Sequence, residues 1–319
     1  MAAVPHDIIP RAPVALDGVP RALAPHATLS RVITSTVTPE GDGMMVRRAF
    51  PSQRLARLDP FLVFDEMGPL EIEPGSEAGF PDHPHRGFET VTYILEGSVE
   101  HRDSHGHAGR IGPGDVQWMT AGAGVVHSEM PGADLRKSGG VLHGFQLWVN
   151  LPKADKMMRP RYQEILAKDI PEVRTPDGKG TVRILAGSFG GRSAVIDTRT
   201  PIQYLHVRLD PDATTEVKIP SGHQGFVLCP IGAAEVGGKS LVEGSYGIVS
   251  GAGPLAIRAG PEGGHLLVVT GVPLKEPVFQ YGPFVMTTRD EIIQAVEDFN
   301  AGRFGEIPAQ AAGRPVGVR

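Results

Sequence analysis

A chain of 319 residues, 40% hydrophobic and 21% charged, is long enough for about two globular domains. Its formal charge of -5 excludes a general electrostatic attraction to nucleic acid or anionic membranes, and its single cysteine excludes an intrachain disulfide. The 41 glycines and 29 prolines punctuate the chain as turns between short strands do, which points to an all-β fold.

Residues 1–29 are rich in proline and alanine and have no period, so a loosely ordered arm is expected there. The prolines, Asp7 and Asp17 interrupt any signal-peptide core, and no apolar run is long enough to span a bilayer. With one thiol in the chain, a reducing cytoplasmic setting is the expectation. From Ser30 the β-branched run Arg31–Val37 predicts a strand. Thr90–Leu95 predicts another, stopped by Glu96 and Gly97. Ser98–Asp103 then resumes with polar residues, which reads as a hairpin whose second strand has a wet face carrying His101. A turn at Gly112–Asp115 feeds the strand Val116–Met119, and Leu142–Leu151 reads as a buried strand.

The composition turns polar and basic at Pro152–Pro160, and the domain boundary is placed there. A second β-rich region follows from Val182 to Thr270 with similar rhythm but no clear sequence repeat. Within it, Cys229 has apolar neighbours and is expected as a small buried residue rather than a nucleophile. Near the end, Thr288-Arg289-Asp290-Glu291 is a capping box. Ile292, Ile293, Val296 and Phe299 are expected on one helical face, with Gly302 ending the helix.

Two short segments carry the chemistry. In an extended segment, residues two apart share a face about 7 Å apart. His83 and His85 can therefore point into one barrel interior, and His127 and Glu129 repeat the geometry. Brought together, three neutral imidazoles and a carboxylate suit a borderline divalent ion such as iron, manganese, nickel, copper or zinc. Spacing alone leaves the alternative open, because histidines in surface loops are common. The pair His105 and His107 has the same spacing but sits beside Ser104 and Gly106, and is read as a solvated hairpin tip. His6 and His26 fall in the arm, while His143, His206, His223 and His265 stand apart as structural residues.

Several longer segments resemble the pirins: Leu58–Glu66, Phe80–Leu95, Gly114–Gly122, His127–Pro131, Gly144–Asn150 and Gly282–Met286. The resemblance runs from about Ser30 to Gly305. It implies a bicupin, two jelly-roll β-barrels in one chain with a short C-terminal helix. It implies one iron ion, Fe2+, in the N-terminal barrel over residues 30–152, held by His83, His85, His127 and Glu129. Residues 153–305 would form a metal-free C-terminal barrel plus the helix, and 306–319 a tail. Glu89 stands where many cupins place a ligand glutamate. Pirins draw theirs from the second segment instead, so Glu89 is given a role behind the ligands or in the fold.

The resemblance further implies a quercetin 2,3-dioxygenase-like activity, with a flavonol and dioxygen as substrates and Glu129 as base. The other function it implies is a non-catalytic, iron-dependent regulator acting through a protein partner, since the chain has no DNA-binding motif.

Overall fold

The computed structural model describes residues 26–308. The expected all-β, two-barrel architecture is present, ending in one helix. Residues 1–25 of the arm and 309–319 of the tail lie outside the described residues. No helix among the described residues is long and apolar enough to cross a membrane.

The first half contains β1 (Thr28–Thr34), β2 (Thr36–Glu40), β3 (Met44–Phe50), β4 (Phe61–Ile72), β5 (Phe80–His85), β6 (Phe88–Glu96), β7 (Val99–Asp103), β8 (Ala108–Ile111), β9 (Val116–Thr120), β10 (Val125–Pro131), the one-turn helix α1 (Ala133–Ser138) and β11 (Gly140–Asn150). Two sheets form its barrel, ordered β12-β9-β6-β11-β4-β3-β2 and β5-β10-β7-β8, where β12 is Arg161–Ile165.

The second half contains β13 (Glu172–Arg174), β14 (Gly180–Ala186), the small hairpin β15 (Ser188–Phe189) and β16 (Arg192–Ser193), then β17 (Ile202–Leu209), β18 (Thr214–Ile219), β19 (Gln224–Val236), β20 (Lys239–Val242), β21 (Ser245–Ser250) and the long bent β22 (Gly253–Gly271). The segment closes with β23 (Phe279–Tyr281), β24 (Phe284–Met286) and α2 (Arg289–Asn300).

Three placements differ from the sequence reading. First, β6 and β7 are not a hairpin. β6 pairs with β9 and β11 in one sheet, and β7 with β8 and β10 in the other. The chain changes sheet at Gly97, whose φ is +77° and where a Cβ would meet Val141 O at 2.5 Å. Alternate residues of β7 therefore face the barrel interior, and His101 is 3% exposed rather than wet.

Second, the boundary near residue 152 is crossed in both directions. β1, assigned to the first barrel, pairs with β21 in the second barrel's sheet, and Ala27 and Leu29 of the expected arm are buried there. Conversely β12, beyond the boundary, pairs with β9 of the first barrel.

Third, α2 packs with β24 onto the first barrel: Phe284, Met286, Ile292, Ala295 and Phe304 form a cluster against Val126. Its capping box is formed, with Thr288 Oγ1 accepting from Glu291 N at 3.2 Å and the Glu291 carboxylate accepting from Thr288 N at 2.9 Å. Ile292 is buried, but Ile293 and Phe299 are exposed, so the buried face is narrower than expected.

The largest core lies between the barrels. Phe50, Phe64, Tyr93 and Phe145 of the first half meet Tyr204, Phe226 and Tyr246 of the second, with Phe64 and Phe226 ring centroids 4.8 Å apart. Cys229 is fully buried in the second barrel, and burial pushes its thiol up to about 12, as an inert core residue requires.

Candidate metal centre

β5 and β10 are antiparallel neighbours, and the register sets His127 directly across from His83, with His85 opposite Val125. The three rings converge, with centroids 4.4 Å (His83 and His127), 4.8 Å (His85 and His127) and 4.7 Å (His83 and His85) apart. One nitrogen from each lies within 4.8 Å of the others.

The surroundings favour neutral imidazoles. His85 and His127 are buried, and burial first, then the neighbouring histidines, holds both well below the usual imidazole range. His83 donates from Nδ1 to Pro81 O at 2.7 Å, which leaves its Nε2 lone pair free, 3.0 Å from His85 Nε2. Both nitrogens of His127 are buried without a partner among the described residues. Leaving such groups unpaired is costly, and a cation among the three rings would take up one nitrogen of each ring, including one of the two orphaned on His127. The donor set therefore fits a divalent transition metal.

Glu129 lies two residues beyond His127 on β10 and is 5% exposed, but its carboxylate is not among the clustered nitrogens. Its Oε1 is 2.9 Å from the Thr92 hydroxyl, and its Oε2 accepts from Gln146 Nε2 at 2.8 Å. Burial pushes this carboxyl up, against the pull of His83 and these hydrogen bonds. The ladder is irregular between His127 and Glu129, which pairs with Phe80.

Phe88 and Trp148 wall the site, with ring centroids 5.0 and 5.1 Å from that of His85. Sequence reading missed Thr92, Gln146, Phe88 and Trp148 as parts of the site. The available signal was alternation: Phe88 and Thr92 on β6, and Gln146 and Trp148 on β11, occupy the faces turned toward the histidines.

Glu89 occupies the opposite face of β6, so it does not stand behind the ligands. It is fully buried, accepts from Thr120 Oγ1 at 2.6 Å, and shares its face with Val91 and Tyr93 of the inter-barrel core. The period of two decides this, since odd positions of β6 point away from the side carrying Phe88 and Thr92. Burial pushes the Glu89 carboxyl up.

The remaining histidines separate cleanly. His107 is half exposed and pairs with Asp103 at the turn. His101 lies against Gln117 and Glu164, and burial lowers it to about 4. His143 meets Glu66 at 2.9 Å, and His206 meets Tyr93 Oη at 2.7 Å. His265 is 3.3 Å from His206, and His223 bonds Thr270 Oγ1 at 3.0 Å. His26 is exposed, and His6 lies outside the described residues.

The pirin family description matches residues 43–149, and the pirin C-terminal cupin domain matches residues 204–305. A Pseudomonas aeruginosa protein provisionally named quercetin 2,3-dioxygenase is 44% identical over 266 residues, covering 83% of this chain and 93% of that protein. Human pirin is 43% identical over 272 residues, covering 83% of this chain and 90% of pirin. A solved quercetin 2,3-dioxygenase from Acinetobacter baumannii superposes with a TM-score of 0.83 at 38% identity, covering 89% of this chain and all of that one.

Proposed function

The chain belongs to the pirin family, and we propose that it is an iron-dependent dioxygenase that opens the heterocycle of flavonols, with quercetin as the type substrate. The observation that carries this reading is the convergence of His83, His85 and His127, the last with both nitrogens unpartnered among the described residues and on the strand that also carries the buried Glu129. We assign the ion to these three histidines and Glu129. A bound ferrous ion supplies a Lewis-acidic, redox-active centre for a chelating flavonol and dioxygen.

The chain's own residues do the rest. Glu129 takes the 3-hydroxyl proton, because its carboxylate is the only anionic group in the assigned set. Thr92 and Gln146 orient that carboxylate and hold it ready. Phe88 is buried and stacks on Trp148 with ring centroids 4.4 Å apart, which fixes the half-buried Trp148 indole as an apolar wall beside His85. Burial of His85 and His127 keeps water from competing. A single buried thiol suits the reducing cytoplasm, where a ferrous ion persists.

The test is oxygen uptake and carbon monoxide release by the iron-loaded protein with quercetin. A flavone lacking the 3-hydroxyl should not react. No uptake with any flavonol overturns the enzyme reading in favour of a metal-dependent regulator acting through a protein partner.

A further inference from the structure

The two strands that carry the histidines are gripped from outside by the far end of the chain. Arg86 directly follows His85, the last residue of β5. Its side chain is 4% exposed, donates to Ala123 O and Asp298 Oδ2 at 2.6 Å each, and lies 4.5 Å over the Phe304 ring. The backbone of Arg86 is tied to the same segment: its N donates to Pro283 O at 3.3 Å, and its O accepts from Val285 N at 3.0 Å.

Gly87 comes next, with φ +88°, and a Cβ there would sit 2.0 Å from Val285 O. The buried Lys156 ammonium spans the junction, donating to Gly87 O at 2.7 Å and Val285 O at 3.0 Å.

On β10, Val126 exchanges hydrogen bonds with Ser104, and Ser104 Oγ donates to Phe304 O at 2.6 Å. Gly124, at the head of β10, approaches the Phe304 ring so closely that a Cβ would lie 2.7 Å from it. Asp298, the partner of Arg86, is itself held by Gln294 Nε2 at 2.8 Å and Arg303 Nε at 2.7 Å.

We propose that residues 283–304 form a clamp that fixes the spacing of β5 and β10, with Arg86 as its positioning residue, so that clamp docking and metal binding are one linked equilibrium. No clamp side chain need touch the ion. A metal site requires its donors to be held within about 0.5 Å, and β5 is an edge strand paired only with β10. Without an outer support, only the β10 ladder sets the position of His83 and His85 relative to His127. By linkage, what the clamp contributes to the metal the metal returns to the clamp.

The inference rests on the metal assignment above, and its test separates the two. Cobalt(II), whose visible bands report coordination, is titrated into the full-length metal-free protein against a chelator. It is compared with Arg86→Lys, which keeps the charge but loses the fork, and with the near-isosteric Asp298→Asn. Ile33→Ala, on β1 of the other barrel, controls for general destabilisation.

Both clamp variants should bind cobalt about 10- to 100-fold more weakly, with altered bands. Ile33→Ala should lower the melting temperature without moving either readout. Cobalt should also slow amide exchange over 283–304 more than over Thr214–Ile219. If the parent protein binds no stoichiometric cobalt, the metal assignment itself falls. If it binds, and both clamp variants match it in affinity and spectrum, the clamp is wrong and the metal assignment stands. An affinity loss that Ile33→Ala reproduces at equal loss of melting temperature also overturns the clamp.

Discussion

His127 is the side chain on which the proposed centre depends most, because it faces both His83 and His85 and neither of its nitrogens has a partner among the described residues. His127→Ala should weaken metal binding by more than about 100-fold, beyond the usual effect of a residue behind the ligands. His223→Ala, whose ring is already bonded to Thr270, should leave the metal content at one ion per chain; metal analysis of the purified variants decides this. Glu129→Gln keeps the shape and removes the charge and basicity. It should retain some metal and lose about 100- to 10,000-fold in flavonol turnover, the range for removal of a general base. Full turnover in this variant would assign the base elsewhere. The histidine pairs were legible in the sequence because a period of two is a local property. The environment of Glu129 was not, since Thr92 and Gln146 reach it from strands 37 and 17 residues away.

At the scale of elements, β7 shows how a local reading goes astray. Glu96-Gly97 is a sound turn signal, but a turn cannot say whether the next strand returns beside the last or crosses to a facing sheet. Helix α2 shows the reverse: its capping box and its end at Gly302 were legible because both are made within one turn of chain. Removing the cap by Thr288→Ala should cost about 1 kcal/mol in chemical denaturation. α2 also carries a pH signature. Burial works upward on Asp298, but the bonds from Arg86, Gln294 and Arg303 outweigh it and hold the carboxyl at about 2, below its ordinary 3.8. A depressed folded value stabilises the protein above the unfolded pKa and is lost as pH falls through the folded one. The melting-temperature gap between the parent and Asp298→Asn should be full above about pH 4 and close as pH approaches 2. A gap that stayed constant to pH 2 would mean that the Asp298 charge does not stabilise the fold.

At the scale of the molecule, the halves are interlocked rather than joined at a linker. β1 completes the second barrel, β12 extends the first, and α2 returns to the first from the end of the chain. The largest apolar cluster lies between them. A chain starting at residue 36 lacks the buried side chains Leu29 and Ile33. Each is worth roughly 1.5–3 kcal/mol of burial, so calorimetry should show a clear loss of stability. A chain starting at residue 26 keeps β1 and should melt like the full protein. Because the aromatic core is shared, a single cooperative transition is expected. Two well-separated transitions would show that the barrels fold independently.

The sequence by itself determined the all-β class, the pirin resemblance, the paired histidine segments and the capped helix. Each of these is written in neighbouring residues, through a period of two or of 3.6, a turn or a cap. Tertiary structure alone decided that β6 and β7 part into different sheets. It also decided that Glu89 faces the inter-barrel core, that His101 is buried, that the first strand serves the second barrel, and that the last helix packs beside the strand carrying His127 in the first. These are contacts between residues tens to hundreds of positions apart. They depend on which buried faces find each other once the chain closes its loops, and no local pattern encodes that pairing.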